Sequence, residues 1–359
     1  MKDKLIICSL AALAVLAGCT KNEARDPEVP DNGAPKASVT FSIDTPESAL
    51  TRASAEFEAD GVIKGSVQIF VFNSNGTWDA YKSFSSADSN GKYTLECTVG
   101  EEKHIHVIVN APSLSSVNSE DKLVKKTLNL NSVTATSGIP MYGYLSTDVA
   151  ASSNLNVQVK RMVAKVVVKK ILAGSDFSAD GVLTLTDLYM LNVPGEFNYV
   201  KRTDDEDLTN WESIKWYNKM AYDDGTFDAV HTDVVSTPNL KKSPYTTTNW
   251  FYVFPNKYTN DDAQGGTWSP RPTRLGIKTS FKTNGKPPVT YYYPITINPK
   301  DADGNITAPI EANKVYTFET ITINHLGSTS DDTQVTAANA SFTVSVADWV
   351  EMPAVNPTL

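Results

Sequence analysis

Few residue types in this chain could do chemistry, and their spacing narrows the chemistry further. There are four histidines in 359 residues. His104 and His106 alternate in HIHVIV and so share one face of a strand, as metal ligands do. No cysteine or carboxylate stands beside them at ligand spacing, so both imidazoles are expected to face solvent and no metal is expected. Asp301, Asp303 and Asn305 in DADGNITAPIEAN imitate the start of an EF-hand loop. The glycine comes two positions early and position twelve is Ala312, which leaves a hairpin turn. The acidic runs TDDED (203 to 207) and NDDAQGG (260 to 266) could bind calcium weakly, and solvated loops explain them as well. No nucleophile elbow, phosphate-binding loop or dinucleotide fingerprint is present, so neither an enzyme nor a cofactor is expected. Tyr291, Tyr292 and Tyr293, with Trp211, Trp216, Trp250 and Trp268, could form a sugar-stacking platform, although alternate tyrosines in a strand more often cover a core or a sheet face. There remains Arg52 in SALTRASAE, a guanidinium among small residues, between the strand-like runs VTFSI and SVQIFVF. No other arginine occurs from Asp26 to Lys160. On residues alone it reads as a solvated loop charge.

The N-terminus indicates the compartment. A short charged start, MKDK, precedes the apolar stretch LIICSLAALAVLAG, and Leu16-Ala17-Gly18-Cys19 closes it, the layout of a secretory signal over residues 1–18. The stretch is short of the roughly 20 apolar residues that span a bilayer. Leu-Ala-Gly-Cys resembles the bacterial lipobox, so Cys19 is expected to carry lipid, which makes the mature chain anchored rather than spanning. Residues 19–37, polar and rich in Pro and Gly, read as a disordered tether. Cys8 leaves with the signal, so Cys97 has no disulfide partner and a hydrophobic core must hold the fold. The net charge of −9 and absence of a basic stripe argue against nucleic acid.

Along the mature chain the dominant period is two. VTFSI, SVQIFVF, YTLEC, HIHVIV, NLNVQV, VLTLTDLYML, WFYVF, VTYYYPITI, VYTFETITIN and SFTVSV are strand-length, and turn dipeptides such as Asn90-Gly91 and Asn284-Gly285 separate them. The pattern predicts an all-β protein of β-sandwiches with Greek-key-type connections. NSEDKLVKK (118 to 126) suits a brief helix, and KRMVAKVVVKKIL (160 to 172) favours strand. Pro194-Gly195 interrupts the pattern, which predicts one domain over 38–194 and a second over 195–359.

The two ends match. SVTFSI sets Val39, Phe41 and Ile43 on one face, and SFTVSV sets Phe342, Val344 and Val346 on one face, so either strand could seat the same kind of side chains in one groove. Together with Cys19, the arginine loop, LNVQVKRMVAKVVVKKI, LTLTDLYMLNVPG and KVYTFETITIN...ASFTVSVADWV, this resembles the fimbrillins, the lipoprotein pilins of type V pili in Bacteroidales. The resemblance implies two transthyretin-like β-sandwich domains and outer-membrane delivery as a lipoprotein, followed by assembly into a surface fimbrium. An extracellular arginine-specific protease would cut between Arg52 and Ala53, with Arg25 as the competing site, and remove the strand 38–43. A donor strand near 341–359 of another copy, carrying Phe342, Val344 and Val346 and anchored by Trp349, would fill the vacancy. The partners it implies are therefore other copies of the chain, accessory pilus subunits and that protease. A stalk subunit is expected; a tip adhesin and a surface glycan-binding lipoprotein are the alternatives.

Overall fold

The computed structural model describes residues 33, 35–45, 63–134, 137–201, 209–211, 213–219, 231–233, 238–260, 269–330 and 339–349. The first part of the chain forms β1 (Lys36–Asp44), β2 (Val67–Phe72), β3 (Trp78–Phe84), β4 (Tyr93–Thr98), β5 (Gly100–Val109), the single turn α1 (Glu120–Leu123), β6 (Thr127–Asn129), β7 (Met141–Val149), β8 (Ser152–Gln158) and β9 (Lys160–Arg161). Two sheets result, one ordered β4-β1-β8 and the other β3-β2-β5-β7-β9. Side chains of alternate residues point to opposite faces. Val67, Ile69 and Val71 of β2 and Ile105, Val107 and Val109 of β5 accordingly meet Val39, Phe41, Leu95, Cys97 and Val157 of the opposing sheet in one core. The other face of the larger sheet, with Phe70, Phe72 and Ile108, is covered by Leu114, Val117, Leu123 and Leu130 from the α1 region. Ser119 starts α1 by accepting a hydrogen bond from Lys122 N (3.3 Å).

The second part forms β10 (Ala164–Val168), β11 (Ile171–Ala173), β12 (Val182–Leu191), β13 (Val193–Pro194), β14 (Glu196–Asn198), β15 (Trp216–Tyr217), β16 (His231–Asp233), β17 (Asn249–Val253), β18 (Arg274–Lys282), β19 (Val289–Thr296), β20 (Lys314–Ile323) and β21 (Ala340–Asp348). In one sheet β20 pairs in parallel with β10 and β11 along one edge and antiparallel with β21 along the other, and β17 lies beyond β10. The facing sheet runs β16-β12-β18-β19. Leu183, Leu185, Leu188, Ile277, Tyr293, Val166, Phe318 and Ile321 are buried in the core they share.

Three expectations change. The division expected at residue 194 moves to between β9 and β10, because β10, β11 and β12 pair with strands of the C-terminal half. Pro194 ends a short β13–β15 ladder, facing Trp216, and Gly195 N–H donates to Lys215 O (2.7 Å) just beyond it. Lys36 and Ala37, expected in the tether, are in β1, where Ala37 is buried beside Cys97. β3, β7 and β18, which carry Asp79, Gly143 and Arg274 in their apolar pattern, are strands that the alternation did not single out.

Candidate functional site

β1 is the middle strand of its sheet. It pairs antiparallel with β4, Val39 facing Leu95 and Phe41 facing Tyr93, and in parallel with β8, Phe41 facing Leu155 and Ile43 facing Val157. Among the described residues, β4 and β8 have no other ladder partner. Val39 and Phe41 are fully enclosed and Ile43 is half-buried, while Ser38 and Ser42 lie on the opposite face. Taking β1 out would therefore leave a slot with apolar pockets and two strand edges whose N–H and C=O groups lack partners.

The β4 side of that slot has an attachment that does not involve β1, whereas the end of β8 is held to Asp44, the last residue of β1 itself. On the β4 side, Asp79 of β3 accepts from Thr98 N (3.2 Å) and Thr98 Oγ1 (2.9 Å). Lys103 Nζ donates to Asp79 Oδ2 (2.9 Å), Thr98 Oγ1 (2.8 Å) and Asn73 Oδ1 (2.6 Å), which uses all three ammonium donors. This buried ion pair fastens the end of β4 to the larger sheet. Burial, with Asp79 nearby, pushes the Cys97 thiol up to about 12, so it stays protonated and unreactive. On the β8 side, Val159 N–H donates to Asp44 O (3.0 Å) and Asn156 Nδ2 to Asp44 Oδ2 (2.7 Å). The backbone there lies so close to Gly143 of β7 that a Cβ would fall 2.6 Å from Gln158 O.

β21 is an edge strand. Phe342 and Val344 are half-buried and Val346 is 39 % exposed. Phe342 meets Phe318 edge-on (5.7 Å), and Asp348 pairs with Lys314 across the ladder. Trp349 is buried in its own chain, stacked on Tyr252 (6.1 Å) with the Arg161 guanidinium 4.6 Å from its ring centre. The expected donor residues thus lie on one strand whose end is fixed at home.

Known proteins share parts of this sequence and its fold. Residues 37–181 match the sequence family of the major fimbrial subunit protein (FimA). Over this stretch the chain is similar to the fimbrial subunits that the family groups. That family is one of structural fimbrial subunits and not an enzyme class. No curated protein sequence matches the chain. Solved structures share the fold. A fimbrilin (fimA) from Porphyromonas gingivalis is 17% identical, with TM-score 0.63 and coverage of 88% of this chain and 98% of that one. A structure from Bacteroides eggerthii, described as a cell adhesion protein, is 21% identical, with TM-score 0.65 and coverage of 89% and 98%. The tip fimbrial protein Mfa3 from P. gingivalis is 15% identical, with TM-score 0.50 and coverage of 88% and 100%.

Within this fimbrillin fold, the histidines depart from expectation. His106 is fully buried and His104 partly so, because both reach Glu120 of α1: His104 Nδ1 to Oε2 at 2.8 Å and His106 Nε2 to Oε1 at 3.1 Å. His106 Nδ1 also meets Tyr142 Oη at 3.0 Å. The cluster staples the α1 region onto β5 and β7. Of the aromatic residues considered for a sugar platform, Trp211, Trp216 and Tyr293 are buried, and Trp216 Nε1 donates to Trp211 O (3.2 Å), whereas Trp250, Tyr291 and Tyr292 are half-buried. Asp301 closes a turn by accepting from Asn305 N (2.8 Å) and Asp303 N (3.0 Å). Cys19, Arg25, Arg52, Ala53, Trp268, the acidic run 203–207, nearly all of 260–266 and the tail after Trp349 lie outside the described residues. Asp79, Thr98, Lys103 and Arg161 were not foreseen. No local pattern marks them: Lys103 follows Glu101 and Glu102, and Arg161 follows Lys160.

Proposed function

We propose that this chain is a structural stalk subunit of a fimbrium, exported as a lipoprotein on Cys19 and assembled by strand exchange. The observation that carries the reading is the place of β1: the middle of a three-stranded sheet, buried at Val39 and Phe41, with neighbours that have no other ladder partner among the described residues. An arginine-specific protease cuts between Arg52 and Ala53. β1 leaves with the N-terminal fragment, and β21 of a second copy enters, offering Phe342, Val344 and Val346 to the vacated pockets.

The energetics explain why a cut is required. Seating three apolar side chains contributes on the order of 5 to 9 kcal/mol for either strand, at roughly 1.5 to 3 each. Ordering the strand opposes this by about 1 to 2 kcal/mol per residue. Contacts alone therefore hardly discriminate between β1 and an incoming β21. Covalent attachment does, because a tethered β1 competes at an effective concentration of roughly millimolar, which no second subunit matches. Cutting removes that advantage, and the subunit becomes competent only after it reaches the surface. The match of residues 37–181 to the major fimbrial subunit family supports this reading, as does the fold shared with a fimbrilin from P. gingivalis.

Digestion of the purified full chain with an arginine-specific protease tests it. The expected result is a new N-terminus at Ala53, loss of residues 36–44 from the particle, and filaments by electron microscopy that resist mild denaturant. Arg52→Ala should give a folded monomer that forms none. Filaments that still contain residues 36–44 in their own sheet would overturn the proposal.

A further inference from the structure

β21 cannot serve a neighbour while its own C-terminal end is held, and Arg161 is among the groups that hold it. Trp349 N–H donates to Asn313 O (2.9 Å), and Trp349 O accepts from Arg161 Nη1 (2.9 Å). The same guanidinium nitrogen reaches Asn313 Oδ1 (3.3 Å), and its carbon lies 4.6 Å from the centre of the indole. Tyr252 stacks on that indole at an interplanar angle of 10°. Arg161 is 1% exposed, so the contact is screened from solvent.

Arg161 does not come from the sheets that carry β21. It ends β9, which pairs with β7 in the N-terminal sandwich, Met141 facing Arg161. β9 follows β8 after the single residue Val159. Ile43 faces Val157 and Asp44 faces Gln158 in the β1–β8 ladder, and Val159 N–H donates to Asp44 O. The last hydrogen bond to the strand that is to be displaced thus sits two residues from the guanidinium that grips Trp349. Val157 and Val159 are buried in the core that β1 completes, and their side chains press on Gly143 of β7.

We propose that the Arg161–Trp349 contact is a latch on the C-terminal strand, opened by the departure of β1. It rests on the strand-exchange reading of the slot and adds its regulation: one cut both empties the acceptor and frees the donor. Loss of β1 takes from Val157 and Gln158 their ladder partners and from Val159 its hydrogen-bond acceptor, so this backbone shifts. A hydrogen bond at 2.9 Å is gone once the atoms part beyond about 3.5 Å. A small movement of β9 therefore suffices to release Trp349 O, which takes the buried guanidinium contact away from the end of β21 and leaves the β20 ladder, Asn313 and the stack on Tyr252. An uncut subunit offers neither slot nor strand, which keeps it monomeric at high local concentration.

Hydrogen exchange on the full chain, read by mass spectrometry before and after arginine-specific digestion, tests the latch. Once β1 has left, peptides covering β21 and Trp349 should exchange about tenfold faster or more, while β12 and β18 keep their rates. Unchanged protection of β21 with β1 gone overturns the proposal, as does equal acceleration of β12 and β18, which would mean general loosening. Arg161→Lys, uncut, keeps the charge but loses the planar fork. It should speed β21 exchange by a similar factor while β1 stays protected, and a wild-type rate there overturns the latch. Electron microscopy of the cut sample reports separately on strand exchange. A cut chain that retains β1 and builds no filament sinks that reading, and the uncut Arg161→Lys chain still decides whether the latch exists.

Discussion

Glu120 shows what a single residue contributes here. Burial alone would raise its pKa, but hydrogen bonds from His106 and His104 outweigh that and hold the carboxyl down at about 2, against an ordinary 4.5. A folded-state pKa below the unfolded one means that the stabilisation is fully present above about pH 4.5 and is lost as pH falls from there through about 2. Glu120→Gln should remove this acid-dependent step from a urea-unfolding titration and cost about 2 to 3 kcal/mol at neutral pH, because two hydrogen bonds to a charged group are weakened. Asp79 makes the complementary case. Asp79→Ala leaves the buried Lys103 ammonium without its counter-charge, and a loss of about 3 to 5 kcal/mol is expected in the same assay. Neither role could be read from local spacing. The histidine pair is visible in HIHVIV, but its carboxylate lies 14 and 16 residues further on, in another element. The inference of solvent exposure failed because only packing brings α1 over that face.

At the scale of elements, β1 determines whether its sheet exists. Phe41→Ala should lower stability by about 3 to 5 kcal/mol, the usual cost of deleting a fully enclosed phenylalanine. It should also raise hydrogen exchange in β4 and β8 together, because the two share that one ladder partner; acceleration of one alone would contradict the pairing. Gly143→Ala places a methyl 2.6 Å from Gln158 O and 2.9 Å from Val157 Cγ1, so the β8 backbone must move away. A loss of about 1 to 3 kcal/mol in chemical denaturation is expected. Ten of the longer strands were legible as alternating runs, because a half-buried strand writes its two faces into the sequence with period two. β3, β7 and β18 were not: β3 buries Asp79 in the Lys103 pair, β7 needs glycine at a close backbone approach, and β18 buries Arg274.

For the whole molecule, the proposal makes donor and acceptor separable. A chain lacking residues 342–359, once cut, should accept a strand and offer none. Added to the intact subunit it should shorten filaments in proportion to its share, and undiminished filament length would show that these residues are not the donor. The sequence by itself determined the all-β class, the apolar faces of β1 and β21, the lone cysteine and the resemblance to the fimbrillins. Those features are local: they depend on residue type and on a repeat of two along the chain. Only the tertiary structure decided that β1 is a middle strand and β21 an edge strand, that the sandwiches divide between β9 and β10, and that Arg161 of one sandwich closes on Trp349 of the other. Which strands become neighbours is settled by burial and hydrogen bonding between segments far apart in sequence, and an alternating pattern says which side of a strand is apolar without saying what will cover it.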